Sequence, residues 1–374
     1  MRTDVLVIGG GLAGTATAYY LAREGVDVLL VERFDLNTQA SGSNAGSIHA
    51  QIPMEPFLTK GEAWVRGFAP TIPLMLASIR LWSGLEAELG ADLEVSLRGG
   101  LCVAETDAQM RAVERKTAVE RAQGLPVELL GRDELRRLAP YLAPTMIGGA
   151  FCDIEGKANP LAVAPAFAKA ARRQGARIRC GTTVQAIERG FTVTTSDGPI
   201  TARRIVNCAG AEAGRIAAMV GLTLPIEAHP IQVNVTEPVA PLVPHLVYFA
   251  GERLTLKQAR SGGFLIGGGW PARLDPSGRP VADPDSVRGN LRAAIHVVPA
   301  LRRVQLLRTW PALVNGTDDW RPILGELPGV PGMFIGMFPW LGFSAGPIAA
   351  RCVADCVLGR EPEVDIRAFS ALPG

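Results

Sequence analysis

The sequence predicts an α/β protein with a Rossmann-like opening, and three observations carry the prediction. Val5-Leu6-Val7-Ile8 runs directly into Gly9-Gly10-Gly11-Leu12-Ala13-Gly14. A second apolar run, Val28-Leu29-Leu30-Val31, ends in the acid Glu32, and a strand–turn–helix pattern recurs over residues 333–358. Short, wholly apolar runs are what a central parallel strand needs, because it is buried on both faces. Between the first two runs an alanine-rich stretch, residues 15–23, reads as a helix that Gly25 closes. Gly9 permits the tight turn, Gly11 lets a pyrophosphate approach the backbone, and Gly14 lets helix and strand pack closely. The helix start offers unpaired N–H groups and the positive end of its dipole to phosphates. Glu32, eighteen residues past Gly14, accepts hydrogen bonds from both ribose hydroxyls and repels a 2′-phosphate. Gly9, Gly11, Leu12, Ala13, Gly14, Glu32 and Arg33 are therefore the contacts expected for an adenine dinucleotide, FAD or NAD.

Composition bounds the rest. A chain of 374 residues, 48% of them hydrophobic, has material for two or three domains with buried cores. A net charge of +2, from 38 Lys+Arg against 36 Asp+Glu, gives no bulk field for nucleic acid or an anionic membrane. The six cysteines form no Cys-x-x-Cys pair and the four histidines are scattered. That argues against a disulfide scaffold and a metal site and makes a reducing, cytoplasmic setting the default. No run approaches the roughly 18 apolar residues of a membrane-spanning helix. The N-terminal run is too short for a secretory core, with Asp4 set against it, so it reads as the first strand.

Three later segments favour FAD. After Glu32 the chain enters a long loop of small residues, Asn37 to His49, suited to lying flat against a large planar ligand. Residues 176–210 read as a strand meander with a turn at Ser196-Asp197-Gly198, returning through a buried strand to Cys208-Ala209-Gly210. The final unit, Met333-Phe-Ile-Gly336 to Gly342-Phe-Ser-Ala-Gly-Pro347, points a helix N-terminus at an electron-rich group such as the flavin pyrimidine carbonyls. Nothing in the C-terminal half supplies a nicotinamide domain.

These motifs resemble the D-amino acid oxidase-type flavoproteins, in the branch of glycine oxidase, sarcosine oxidase and the amine-oxidising subunits of proline, hydroxyproline and opine dehydrogenases. The likeness runs along nearly the whole chain. It rests on the N-terminal fingerprint with Glu32, on Ala40-Ser41-Gly42-Ser43-Asn44-Ala45-Gly46, on Asn207-Cys208-Ala209-Gly210-Ala211 and on Leu265-Ile266-Gly267-Gly268. Thr317-Asp318-Asp319, Pro322-Ile323-Leu324-Gly325 and the last glycine unit complete it. The resemblance implies a glycine oxidase-like architecture: a Rossmann-like FAD-binding domain from residues 1–85, 145–225 and 315–374, and a mixed-sheet α+β substrate domain from 86–144 and 226–314. It implies that Ser41, Asn44, Ala45, Gly46 and Ser47 line the pyrophosphate and ring, and that Val184 meets adenine through its backbone. Cys208, Ala209 and Gly210 form the inner turn, while Gly342, Phe343, Ser344 and Ala345 meet the pyrimidine end. Relatives that attach FAD covalently use a His or Cys at places held here by Asn44-Ala45 and Ala312-Leu313, so the expected FAD is non-covalent.

The reaction implied is oxidation of a C–N bond by hydride transfer to flavin N5, giving an imine that water hydrolyses, with O2 or an electron-carrier partner reoxidising the flavin. An oligomer is left open. Such chemistry leaves the protein to orient a deprotonated amine. In relatives an Arg just upstream of the Thr-Pro-Asp segment binds the substrate carboxylate; the corresponding position here is Val314. Met337-Phe338-Pro339-Trp340 stands where relatives have small residues. Both departures point away from glycine and toward a bulkier, greasier secondary amine, such as an N-carboxymethyl, opine-like or cyclic imino acid. His49, Gln258, Trp340 and Tyr248 are the candidate catalytic residues, with Gln51, Lys257 and Arg308 as further polar candidates. Lys257 and Gln258 are neighbours on an alternating strand, so one faces the pocket; Gln258 is expected there, with Lys257 reaching solvent. Two other readings share the cofactor: a 2-hydroxy acid dehydrogenase, and a flavin subunit that relays electrons within a hetero-oligomer. Gly11→Val should abolish flavin binding by blocking the pyrophosphate; a variant purified fully yellow would contradict the assignment.

Overall fold

Two eight-stranded sheets organise the computed structural model, which describes residues 1–371. The chain begins with β1 (Arg2–Ile8), α1 (Leu12–Arg23) and β2 (Val28–Val31). Short helices α2 (Ala40–Ser43), α3 (Met54–Thr59) and α4 (Gly61–Phe68) precede the long α5 (Thr71–Leu89). Next come β3 (Gly100–Ala104), α6 (Asp107–Ala122), β4 (Val127–Gly131), β5 (Gly148–Cys152) and α7 (Pro160–Arg173). The meander is β6 (Arg177–Arg179), β7 (Val184–Ile187), β8 (Thr192–Thr195) and β9 (Gly198–Asn207). Strands β10 (Glu227–Thr236), β11 (Leu246–Phe249), β12 (Thr255–Gln258) and β13 (Phe264–Gly267) lead to α8 (Pro284–Val297). The chain ends through β14 (Leu306–Gly316), β15 (Ile323–Glu326), β16 (Met333–Met337) and α9 (Gly342–Val357).

The first sheet runs β15-β16-β9-β1-β2-β6, with β8 and β7 branching from β9. Strands β16, β9, β1, β2 and β6 are parallel, and β15, β8 and β7 pair antiparallel. The apolar runs explain this. Val5 and Val7 join Val28 and Leu30 in one buried cluster, and Leu6 and Ile8 join Leu29 and Val31 in another, the two-residue alternation of a strand covered on both sides. Helices α1, α5, α7 and α9 cover the first face, and the meander covers the second. The loop of small residues is more ordered than a plain loop: it forms α2 and a two-residue strand, Ser47–Ile48.

The second sheet runs β14-β10-β13-β12-β11-β3-β5-β4, antiparallel except for β11 beside β3. Strand β5 belongs to this sheet, pairing with β3 and β4. Helix α5 extends past residue 85 and packs on α9. Residues 372–374 of the expected C-terminal segment lie outside the described residues. Among the described residues no helix is long and apolar enough to cross a membrane, and no group of His, Cys, Asp and Glu is arranged to hold a metal.

Gly14 shows how tightly the first turn is built. A Cβ there would run into the Gly9 carbonyl and crowd Cys208. Gly14→Ala should force α1 off β1 and cost about 2–3 kcal/mol, read as a lower denaturant midpoint; an unchanged midpoint would contradict the close packing.

Candidate active site

A narrow cleft of about 210 Å³ opens along the C-terminal edge of the first sheet. Gly9, Gly11, Leu12 and Ala13 form its floor, Glu32 and Arg33 one wall, and Val184 its far end. Cys208, Ala209 and Gly210 supply the inner turn, and Ser41, Gly342 and Phe343 the other wall. Ala40, Asn44, Val314, Trp340 and Phe343 also line a chamber of about 970 Å³, so the two spaces meet there. Ala45, Ser47, His49, Tyr248 and Ser344 line the chamber.

The cleft's polar groups suit an adenine dinucleotide. No side chain caps α1 at Gly11, and its first N–H, of Leu12, donates to Ser41 Oγ at 2.9 Å. Glu32 accepts from Gly10 N (2.6 Å) and Phe34 N (2.9 Å), which fixes its carboxylate at the end of β2 where a ribose would lie. Arg33 pairs with Glu212 across the cleft at 3.5 Å, and the Val184 carbonyl accepts from Arg215 at 3.4 Å. Asn44 shapes the loop from within: its Oδ1 accepts from Gly46 N (2.6 Å), and its Nδ2 donates to Ser41 O (2.6 Å). Gly46 and Ala345 line neither space; Ala345 is buried in the first turn of α9. Ser344 joins the two cofactor segments, donating to Ser47 O (2.9 Å) and accepting from His49 N (3.1 Å). These residues fit FAD: Gly9 to Gly14 and Glu32 would hold its adenosine diphosphate half, and Ser47, Gly342 and Ser344 would lie toward its ring.

The chamber is walled by aromatics. Trp320 stacks on Trp340 at 5.1 Å, Trp340 tilts against His229 at 4.5 Å, and Trp64 meets Trp320 edge-on at 6.0 Å. Both Trp320 and Trp340 hold left-handed backbone (φ 63° and 59°), a costly conformation for bulky residues. The Thr317 carbonyl anchors them, accepting from the Trp340 indole (3.2 Å) and the Trp320 amide (3.3 Å). A Cβ at Gly316 would strike the rings of Trp340 and His229, so the wall closes only over glycine. His229 stands directly across β10 and β14 from Val314. The sequence pointed to Trp340 alone; Trp320 and His229 carried no signal, since their approach depends on strand register.

Neither Lys257 nor Gln258 lines the chamber, and each is held where the alternation did not place it. The Gln258 carboxamide accepts from the N–H groups of Leu242 (2.7 Å) and Val243 (3.1 Å), and donates to the carbonyls of Val239, Ala240 and Gly262. It therefore holds a loop on the far side of β12 and does not reach the chamber. Lys257 is 1% exposed, and its Nζ donates to Ser47 Oγ at 2.5 Å, beside the cofactor loop. Burial first, then Lys157, pulls its pKa down to about 7. Burial and Lys257 pull His49 down to about 3, so its imidazole stays neutral near pH 7. Arg308 is exposed on β14 and lines neither space.

Beneath the chamber lies a buried polar network that the sequence did not announce. Lys116 and Glu120, a turn apart on α6 and fully buried, pair at 2.6 Å. Lys116 also donates to Gln51 Oε1 at 3.1 Å. Gln51 Nε2 donates to Glu155 Oε2 (2.9 Å), which also accepts from the Tyr248 hydroxyl (3.3 Å). On a charge-rich helix such as α6, a Lys and Glu four residues apart read as a solvated pair. The inward stripe Ala112, Val113, Lys116, Thr117 and Glu120 shows them instead in core positions.

A dinucleotide cleft opening into an aromatic-walled chamber defines a flavin-dependent oxidoreductase of small molecules. The sequence matches the FAD dependent oxidoreductase family over residues 4–356, and the chain belongs to that family. It is 30% identical to the beta subunit of sarcosine oxidase from Rhizobium meliloti, over 98% of this chain and 87% of that one. An opine oxidase subunit of Rhizobium meliloti is 29% identical, over 99% and 97%. The crystal structure of glycine oxidase from Geobacillus kaustophilus superposes with a TM-score of 0.86 at 26% identity, over 100% of this chain and 99% of that one.

The pKa of Lys257 gives a signed prediction. The folded chain binds fewer protons than the unfolded one between about 7 and the ordinary value of 10.5. Stability therefore rises with pH across that window, and the deficit is fully present below it. Lys257→Met should raise the thermal midpoint of the cofactor-free chain at pH 7 by roughly 2–6 °C, and by much less at pH 10, followed by circular dichroism. An equal gain at both pH values would contradict the buried, depressed amine.

Proposed function

We propose that this chain is an FAD-dependent amine oxidoreductase acting on an N-substituted amino acid or related secondary amine that carries an apolar group. The observation that carries this reading is the chamber wall: Trp320, Trp340 and Phe343 face a space in which Val314 offers no charge. An Arg there would bind a substrate carboxylate through two charge-assisted hydrogen bonds. Without it, selection rests on shape and on the apolar part of the substrate. The relatives named as sarcosine, opine and glycine oxidases act, by those names, on small amines and amino acids, which supports C–N oxidation.

Bound FAD, held non-covalently, supplies the two-electron acceptor for a hydride from the carbon next to nitrogen. The protein's own residues do the rest. Trp340 and Phe343, set where cleft and chamber meet, limit the poses that bring that C–H to the ring. His49, neutral and facing the Tyr248 ring at 5.9 Å, adds no positive charge that would repel an incoming ammonium. The chamber mouth is bridged by the Glu55–Arg253 pair at 2.9 Å, from α3 to the β11–β12 turn, which limits the entry of water. Two relatives are by name subunits of larger oxidases, and we extend to this chain a working partner that takes electrons onward when O2 does not.

Anaerobic mixing of the FAD-loaded protein with a panel of secondary amines, glycine and 2-hydroxy acids tests the reading. N-alkylated and cyclic amino acids should bleach the flavin, at least tenfold faster than glycine. Bleaching by hydroxy acids with none by amines would overturn it in favour of C–O oxidation. Val314→Arg should narrow that preference by improving glycine; no change would show that the residue does not face the substrate carboxylate.

A further inference from the structure

The polar floor of the chamber carries one more negative charge than positive. Lys116 and Glu120 compensate each other at 2.6 Å. Glu155 is 0% exposed and has no cation within hydrogen-bonding distance among the described residues. Its Oε1 accepts from the N–H groups of Ala50 (2.5 Å) and Gln51 (2.7 Å). Its Oε2 accepts from Gln51 Nε2 (2.9 Å) and the Tyr248 hydroxyl (3.3 Å). A lone buried carboxylate is costly even when its oxygens are filled. Tyr248 joins that charge to the chamber, which its half-buried ring lines.

We propose that Tyr248 and Glu155 together accept the proton of the incoming substrate ammonium. This rests on the amine-oxidoreductase reading and adds a step to it. Aliphatic amines are cations near neutral pH, and a protonated nitrogen has no lone pair with which to drive hydride loss. In the step, the substrate N–H bond breaks as its proton passes to Tyr248 Oη. The tyrosine's own O–H bond breaks as that proton passes to Glu155 Oε2. A new O–H bond forms on each, no electrons change hands, and the chamber is left with a neutral amine, a neutral tyrosine and a neutral carboxylic acid. Before the transfer it held an ammonium against a buried carboxylate, so the step removes two charges from a poorly solvated space. Water admitted on product release takes the proton from Glu155.

The surroundings leave this pair as the acceptor. The groups facing Glu155 are Lys116 of α6 with Glu120 behind it, Cys102 of β3, Cys152 of β5 and Tyr248 of β11. Burial raises the carboxyl of Glu155 from its ordinary value, toward a usable base. Burial, with Glu155 adding to it, holds Tyr248 well above the ordinary phenol range, so Tyr248 passes a proton on and does not keep a charge. His49, with Lys257 beside it, faces the tyrosine ring but is too weak a base. Glu120 is engaged by Lys116 and by Ile52 N at 2.7 Å, and does not line the chamber.

The test is anaerobic stopped-flow reduction of the holoenzyme by a secondary amine that bleaches the wild type, followed from pH 6 to 10. Tyr248→Phe and Glu155→Gln should each slow limiting reduction roughly 100-fold at pH 7. Both should recover toward the wild-type rate as the pH passes the pKa of the free amine. Tyr248→Phe leaves the Ala50 and Gln51 N–H bonds to Glu155 in place, so its FAD affinity and near-ultraviolet circular dichroism should match the wild type even if Glu155→Gln folds poorly. A Tyr248→Phe profile parallel to the wild type at every pH would overturn the proposal and leave Glu155 as an anchor for residues 50–51. Failure of any amine to bleach the wild type would instead remove the amine reading itself, and this step with it.

Discussion

One serine hydroxyl holds the working half of the molecule together. Ser344, at the start of α9, bonds both Ser47 and His49, residues almost the whole chain away. Its own carbonyl accepts from Ser78 Oγ (2.5 Å) and Trp82 Nε1 (2.9 Å) on α5. Three segments distant in sequence thus meet at one fully used residue. The two bonds to α5 are buried and the two to Ser47 and His49 part-buried, so loosening a buried one leaves a partner unsatisfied at a cost of about 1–3 kcal/mol. The placement of Ser47 and His49 beside the chamber depends on this junction, which also sets the loop that Lys257 meets and that leads to Gln51.

The chamber separates its polar and apolar work by direction. Indole and phenyl rings close the side toward β14 and α9, where apolar substrate would lie, and the charged groups are sunk beneath Gln51 and Tyr248. A mixed wall would have placed carboxylates against aromatic surface with no donors to fill them. Here every Glu155 oxygen has two donors, and the donors come from backbone and side chains that the sheet already holds in place.

How much of this was legible in the sequence depended on whether the signal was local. The first turn, the strand runs and the final helix were readable because strand burial and glycine spacing are properties of neighbouring residues. The place of Glu32 at the end of β2 followed from the same short unit. The expectation for Lys257 and Gln258 failed because alternation says that two neighbours face apart, not what each of them meets. The place of Gln258 was set by five backbone groups of the loop around residues 239–262, for which only a neutral amide has both donors and acceptors. Lys116, Glu120 and Glu155 were hidden for a related reason: Lys116 and Glu120 pair along one helix as a solvated pair would, and the donors to Glu155 lie far from it in the chain.

The two tryptophans in left-handed backbone have a mutational consequence. At such positions glycine is the conformationally relaxed choice, so replacing either indole removes bulk from the binding space and relieves the main chain at once. Most reshaping of a binding site erodes the fold that supports it; here the change that widens the space also eases the backbone. The relieved backbone strain, about 1–3 kcal/mol, offsets part of the ring packing such a change gives up.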